Sequence, residues 1–390
     1  MFKTNFLSKE RAVELVREHA SPLFVYSRSK LVEQAKIMSG ITSPFGLDVR
    51  YAMKANPHSE ILEIFREAGL GIDASSGYEV EAAIASGYKP EQILLTSQQL
   101  AHNLAELIEQ GVQFNATSLR QLEAYGKLFP GTSVGVRINP GIGSGHSVKV
   151  NVGGVTSSFG IWHEYIAAVH TVAAAHKLTI ERMHTHIGCG TDPIVWQEAA
   201  RISLELIKNF PEARIINLGG GFKVARMDEE QAVDTVRIGE LLMQELRHFS
   251  QTTGRQLRLE LEPGTFMVAN CGILVATIDD IADTGSDGYE FIKLNTGMND
   301  ILRPSMYGAQ HPIMILGESI EEKDYIVVGH NCESADLLTP AAGDPEVLMP
   351  RTLTRANIGD LVLIGGVGAY CASMAAQGYN GFPKTKEIVI

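Results

Sequence analysis

Three stretches of this 390-residue chain, two through side chains and one through its backbone, carry groups that could do chemistry. Lys54 lies in Tyr51-Ala52-Met53-Lys54-Ala55-Asn56, after a mostly apolar run. A lysine so placed is expected to point into a sparsely hydrated pocket, where burial lowers the amine pKa and favours Schiff-base formation. A lone lysine at a strand end is more often a solvated surface residue, so the segment needs support. The run Gly219-Gly220-Gly221 follows Ile215-Ile216-Asn217-Leu218 and lets backbone N–H groups approach a phosphate closely. Glycine clusters also make plain turns. Beside a reactive lysine, however, the run completes a pair, one group for an aldehyde and one for a phosphate. Glu262, in Glu260-Leu261-Glu262-Pro263-Gly264, adds a carboxylate.

These residues recur at one kind of place. From about residue 30 to 265, short β-rich runs alternate with amphipathic helical stretches. The strand candidates are Arg50–Ala55, Leu70–Ser75, Gln92–Ser97, Val112–Ser118, Ser133–Asn139, Arg182–Gly188, Arg214–Gly219 and Leu257–Glu262. Eight βα units predict a (β/α)8 TIM-like barrel; an open doubly wound sheet also alternates, but the count favours closure. Barrel active sites lie at the C-terminal ends of the strands. There the pattern puts Lys54, Asp73 with Ser75, Arg137 with Asn139, His186, Gly219–Gly221 and Glu262.

After about Cys271 the pattern becomes short strands separated by Gly and Pro, which predicts a second, all-β domain, a β-barrel or sandwich. Leu23–Tyr26 also reads as a strand and could join it. The expected division is therefore a barrel over 29–270 and a β domain from 1–28 and 271–390.

Set against a pyridine nitrogen, Glu262 would keep that nitrogen protonated and the ring a strong electron sink. Loss of CO2 from Cα needs such a sink, whereas racemisation runs with a weaker one, so Glu262 favours decarboxylation. His186, in His184-Thr185-His186-Ile187-Gly188, is placed to stack on the ring. Two histidines at i and i+2 of a strand point the same way and would also suit a metal, but no third ligand stands at suitable spacing, so none is expected.

Composition narrows the partners. A net charge of −12 argues against nucleic acid, whose phosphates call for basic patches. No apolar run approaches the roughly 20 residues that span a bilayer. Met1–Glu10 lacks a signal-peptide apolar core, so a cytoplasmic protein is expected. Cys189, Cys271, Cys332 and Cys371 lack CxxC spacing and read as reduced thiols.

Taken together, the motifs resemble the fold-type III decarboxylases that use pyridoxal 5'-phosphate (PLP), most closely the meso-diaminopimelate decarboxylases. The resemblance spans nearly the whole chain. It rests on Tyr51–Asn56, Asn139-Pro140-Gly141 with Gly145-His146-Ser147, Phe159-Gly160-Ile161, His186-Ile187-Gly188, Gly219–Gly221, Glu262-Pro263-Gly264, Arg303-Pro304 with Tyr307, Cys332-Glu333-Ser334 and Gly368-Ala369-Tyr370.

The resemblance implies that Lys54 holds the cofactor and His186 stacks on it. Asp73, Arg137, the glycine run, Gly264 and Tyr370 are implied cofactor contacts, with Tyr370 at the phosphate and Glu262 at the pyridine nitrogen. Arg303, Tyr307, Glu333 and Tyr370 would meet a small amino-acid substrate. Cys332 would donate a proton to Cα. Cys332 and Glu333 would reach the neighbouring subunit's site, which makes an obligate homodimer. Two positions depart from the family: Thr265 where Glu-Pro-Gly is usually followed by arginine, and Cys189 where serine is usual. The implied reaction is conversion of meso-2,6-diaminopimelate to L-lysine and CO2. The alternatives are a D-lysine or D-ornithine decarboxylase, an amino-acid racemase, and a non-catalytic PLP-binding regulator.

Overall fold

The structure is a computed structural model that describes residues 6–142, 153–186 and 190–390. The chain forms two compact units, one of Val32–Lys223 with Gln231–Met267 and the other of Met1–Leu31, Val224–Glu230 and Val268–Ile390.

The first unit is a closed parallel barrel. Its strands are β1 (Leu47–Ala52), β2 (Gly71–Ala74), β3 (Ile93–Leu95), β4 (Gln113–Ala116), β5 (Ser133–Asn139), β6 (Thr179–His184), β7 (Ile215–Asn217) and β8 (Arg258–Leu261). They pair in the order β4-β3-β2-β1-β8-β7-β6-β5, and β4 closes on β5 through Asn115↔Gly135 and Ala116↔Val136. Strands covered on both faces need near-continuous burial, and β5 buries every residue after Ser133.

Helices enter between strands at side-chain caps. Ser118 Oγ accepts from Gln121 N (3.1 Å) at the start of Leu119–Leu128, and Asp234 Oδ1 accepts from Arg237 N (2.9 Å) at the start of Thr235–Thr253. The latter helix ends on Gly254 at φ +73°, a left-handed stop that favours glycine. Helices Lys9–His19, Arg28–Ser39 and Gly77–Ala85 lie where the sequence pattern singles out no helical stretch.

The second unit is built on an eight-stranded sheet. Its long strand, Gly272–Asp283, pairs antiparallel with Glu290–Leu294, with Leu361–Gly365 and with Leu23–Tyr26. Leu23–Tyr26 also pairs in parallel with Lys386–Val389, so the two ends of the chain meet in one sheet. Leu15, Leu23, Val25, Ile273, Val275 and Leu363 form part of the core beneath. Among the described residues no helix is long and apolar enough to cross a membrane.

Candidate active site

Register brings the site together. His184 of β6 lies beside Asn217 of β7, and Asn217 lies beside Glu260 of β8. The ladder runs on past the strand ends: Thr185 N donates to Asn217 O (2.9 Å), Leu218 N to Glu260 O (3.1 Å), Glu262 N to Gly219 O (2.8 Å) and Ala52 N to Pro263 O (3.1 Å). These bonds hold His186, the glycine run and Glu262 side by side at the C-terminal mouth of the barrel.

Lys54 departs from expectation in one respect. It stands on a 3-10 turn, Met53–Ala55, just beyond β1, with its side chain exposed while Met53 and Ala55 are buried. The residue is thus more accessible in the chain alone than the sparsely hydrated pocket expected of it would allow. Its charge still acts on Asp73, Glu262, His184 and His186.

The acids and bases around Lys54 are buried. Asp73, Glu262 and Arg137 are 3%, 6% and 9% exposed. Burial raises the Asp73 carboxyl, against the opposing charges of Lys54 and Arg137. Burial, then the charge of Asp73, pushes Glu262 up to about 8. Burial and the Arg137 charge hold His184 and His186 well below the usual imidazole range, so both rings are neutral. His184 Nε2 is 3.4 Å from Glu262 Oε2, which is therefore a neutral contact and not an ion pair. Arg137 lies over the Phe159 ring at 5.0 Å, and its Nη2 is buried with no partner among the described residues. Asp73 Oδ1 is likewise without one. Asn139, by contrast, serves the loop: its Oδ1 accepts from Gly141 N and Gly154 N.

The glycine run owes its composition to close packing. A Cβ on Gly219 would stand 2.2 Å from His186 Nδ1, and one on Gly220 would stand 2.3 Å from Glu262 O. Gly219 N donates to Asn217 Oδ1 (2.8 Å) and Gly220 N to His186 Nδ1 (3.0 Å). Those two amides are committed within the site. Gly221 N has no partner among the described residues and is the amide of the run able to receive an anion. Gly264 is buried and turns the chain into the short helix Thr265–Val268, its carbonyl accepting from Met267 N (3.0 Å).

The remaining residues singled out in the sequence belong to the β unit. Arg303 opens the helix Arg303–Tyr307, with Tyr307 half-buried at its end. Arg303 Nη1 is 2.8 Å from His311 Nε2. Burial keeps His311 neutral, and its Nδ1–H donates to Gly365 O (2.9 Å), so Nε2 is the acceptor for Arg303. Cys332 is exposed, its N–H donating to Asn380 Oδ1 (2.7 Å). Glu333 accepts from Ala335 N and from Tyr379 Oη (3.1 Å), contacts that hold its carboxyl below the usual range. Tyr370 sits at φ +57°. Cys271 and Cys371 are buried free thiols, and burial pushes Cys371 up to about 11. Gly145-His146-Ser147, Ile187-Gly188 and Cys189 lie outside the described residues.

Residues 29–269 match the family model of the pyridoxal-dependent decarboxylases, pyridoxal binding domain. The chain belongs to this family. Diaminopimelate decarboxylase of Streptomyces coelicolor is 34% identical, the match covering 98% of this chain and 88% of that one. The Escherichia coli K12 enzyme of the same name is 32% identical, with 98% and 92% covered. A crystal structure of diaminopimelate decarboxylase superposes at a TM-score of 0.92, with 32% identity, over 100% of this chain and 93% of that one. The Helicobacter pylori diaminopimelate decarboxylase complexed with L-lysine gives 0.84 at 26% identity, with 97% and 93% covered.

In this decarboxylase the sequence pattern overlooked Asn217 and the charges beneath it. Glu260, fully buried, accepts from Arg50 Nε and Nη2 (3.2 and 3.0 Å) and from Arg182 Nε (2.7 Å), and both arginines also bond Gln113 Oε1. Asn217 links this cluster to Glu262. The available signal was register: polar residues at matching positions of three neighbouring parallel strands.

Proposed function

We propose that this chain binds PLP through Lys54 and decarboxylates meso-2,6-diaminopimelate to L-lysine and CO2. The observation that carries this reading is the convergence of Lys54, Asp73, Arg137, His186 and Glu262 at one barrel mouth, with Glu262 and Asp73 buried together beside the lysine's charge. The near-full-length likeness to diaminopimelate decarboxylases supports the substrate.

The residues present fit the cofactor. Gly219 and Gly220 let the run pack against His186 and Glu262, and Gly221 N supplies an amide toward a phosphate. Arg137 Nη2 and Asp73 Oδ1 are buried groups still able to take a polar partner. Glu262 would face the pyridine nitrogen, and a positive charge there would draw off the proton that burial holds on its carboxyl. When bound, PLP supplies an electron sink for the pair left on Cα as CO2 departs. Lys54 Nζ would hold the aldehyde carbon and take it back when the product amine leaves. The neutral His186 ring, fixed by Gly220 N, would lie against the cofactor ring.

From the resemblance, Arg303, Tyr307, Glu333 and Tyr370 are proposed as substrate contacts, with Tyr370 also at the phosphate and Cys332 returning the proton to Cα. The same resemblance makes the working unit a homodimer in which Cys332 and Glu333 serve the partner's site. Thr265 favours a second reading, a D-lysine or D-ornithine decarboxylase. Threonine can donate one hydrogen bond but supplies no charge for a distal carboxylate.

The test is CO2 release by the PLP-loaded protein, with meso-diaminopimelate and D-lysine compared at equal concentration and Lys54→Ala as control. Preference for diaminopimelate is expected. Preference for D-lysine would give Thr265 the deciding role, and no CO2 from either would overturn both substrates.

A further inference from the structure

Asn217, the last residue of β7, is fully buried and makes three hydrogen bonds to three separate parts of the site. Its Oδ1 accepts from Gly219 N at 2.8 Å. A backbone N–H can only donate, so this contact fixes which way the amide faces. The two Nδ2 hydrogens then reach Glu262 Oε1 at 2.6 Å and Glu260 Oε2 at 3.1 Å. Glu260 cannot move to follow its neighbours. It is 0% exposed, and although burial works to raise its carboxyl, Arg182 and Arg50 outweigh that and keep it ionised. Asn217 thus stands on a buried ion cluster and ties two further groups to it, the first glycine of the run and the carboxyl of Glu262.

We propose, resting on the PLP reading above, that Asn217 is a positioning residue that locks Glu262 in register with the glycine run, so that one amide sets the contact at the ring nitrogen and the contact at the phosphate together. The chemistry demands an amide. Aspartate has the same shape and would still accept from Gly219 N, but it would turn a third carboxylate toward Glu260 and Glu262. Serine could reach at most one of the three partners. Neither replacement can accept from the glycine amide and donate to both acids at once.

The test is a PLP titration, followed by the absorbance of the bound cofactor, on wild type, N217D, N217S, E262Q and the double variant N217D/E262Q, with thermal unfolding of each protein without cofactor as the folding control. N217D is expected to weaken PLP about 10- to 100-fold, the loss of one charge-assisted hydrogen bond. In the E262Q background the same change is expected to cost less than about threefold, because an amide at position 262 can donate to the new carboxylate. The pH dependence of PLP affinity is expected to move in N217D relative to wild type, and to move less when N217D/E262Q is compared with E262Q. Equal losses from N217D in both backgrounds would overturn the proposal and leave the PLP reading standing. Wild-type affinity in both N217D and N217S would do the same. If N217D does not fold, N217S and N217S/E262Q carry the same comparison. A wild-type protein that takes up no PLP would overturn the cofactor reading and this proposal with it.

Discussion

The charge of Asp73 reaches Glu262 through the barrel mouth and, after burial itself, is the largest influence raising the Glu262 carboxyl, to about 8. Two acids sharing a dry site cannot both ionise cheaply. The folded chain therefore holds the Glu262 proton over a range in which the unfolded chain, near 4.5, has released it. Between those limits the folded state binds more protons, so this group's contribution to stability is full below about 4.5 and is lost as pH rises toward about 8. His184, His186 and His311 pull the other way, being neutral when folded. The difference between wild type and Glu262→Gln isolates the carboxyl. Without cofactor, the variant should gain in melting temperature relative to wild type from pH 5 to pH 8. A constant difference would refute the shift.

Lys54 can be removed without loss of fold. Its side chain is exposed on the 3-10 turn. Lys54→Ala takes away a charge that acts on the buried Asp73 and Glu262, so unfolding free energy should change by about 1 kcal/mol, the size of an ordinary substitution. CO2 release should nonetheless fall by on the order of a thousandfold or more, since covalent attachment of the cofactor aldehyde needs an amine. Denaturant unfolding and the CO2 assay together check this. Activity near wild type would remove Lys54 from the site.

The buried ions beneath the site invite the opposite experiment. Arg182 is 2% exposed and bonds Glu260 at 2.7 and 3.2 Å. Breaking a buried pair from one side strands a charge and costs about 3–5 kcal/mol. Arg182→Ala should lower the urea midpoint accordingly, whereas Arg258→Ala, whose partner Asp48 is also at the surface, should cost no more than about 1 kcal/mol. Equal midpoints would show that Arg50 alone suffices to hold Glu260.

Gly219 and Gly220 should not tolerate alanine. On Gly220 a Cβ meets the Glu262 carbonyl oxygen at 2.3 Å, and backbone cannot step aside as a flexible side chain does. Gly220→Ala should cost about 1–3 kcal/mol, a typical overpacking penalty, and weaken PLP. Gly190, whose Cβ position meets nothing within 4 Å among the described residues and whose φ is not left-handed, is the control. Calorimetry and cofactor titration on both variants decide it.

Much of this was legible before folding. All eight barrel strands lie where alternation of short β-rich runs and helices puts them, and Ser133–Asn139 agrees to the residue. The helix Gly77–Ala85 was not, because its alanines and opening glycine leave no apolar stripe. Nor were Ile313–Ile315 and Arg351–Thr354, short strands each next to a proline. At the site, residue type pointed to Lys54, Glu262 and the glycines. Asn217 and Arg182 were silent, because each acts only through neighbours that strand register supplies: Asn217 lies between His184 and Glu260 across three strands. A single strand's sequence does not contain that relationship.

Sharing of the site between subunits can be tested by complementation. Lys54 lies in the barrel unit and Cys332 in the β unit, where it is exposed and its N–H is held by Asn380 Oδ1. If Cys332 serves the partner's site, a mixed dimer of Lys54→Ala and Cys332→Ala chains pairs one intact lysine with one intact cysteine. Random exchange makes half the dimers mixed, each with one complete site of two, so about one quarter of wild-type activity should return. The two proteins would be mixed after partial unfolding and refolded together, then assayed for CO2 beside each alone. Recovery no greater than the sum of the two separate activities would mean that each site is completed within one chain.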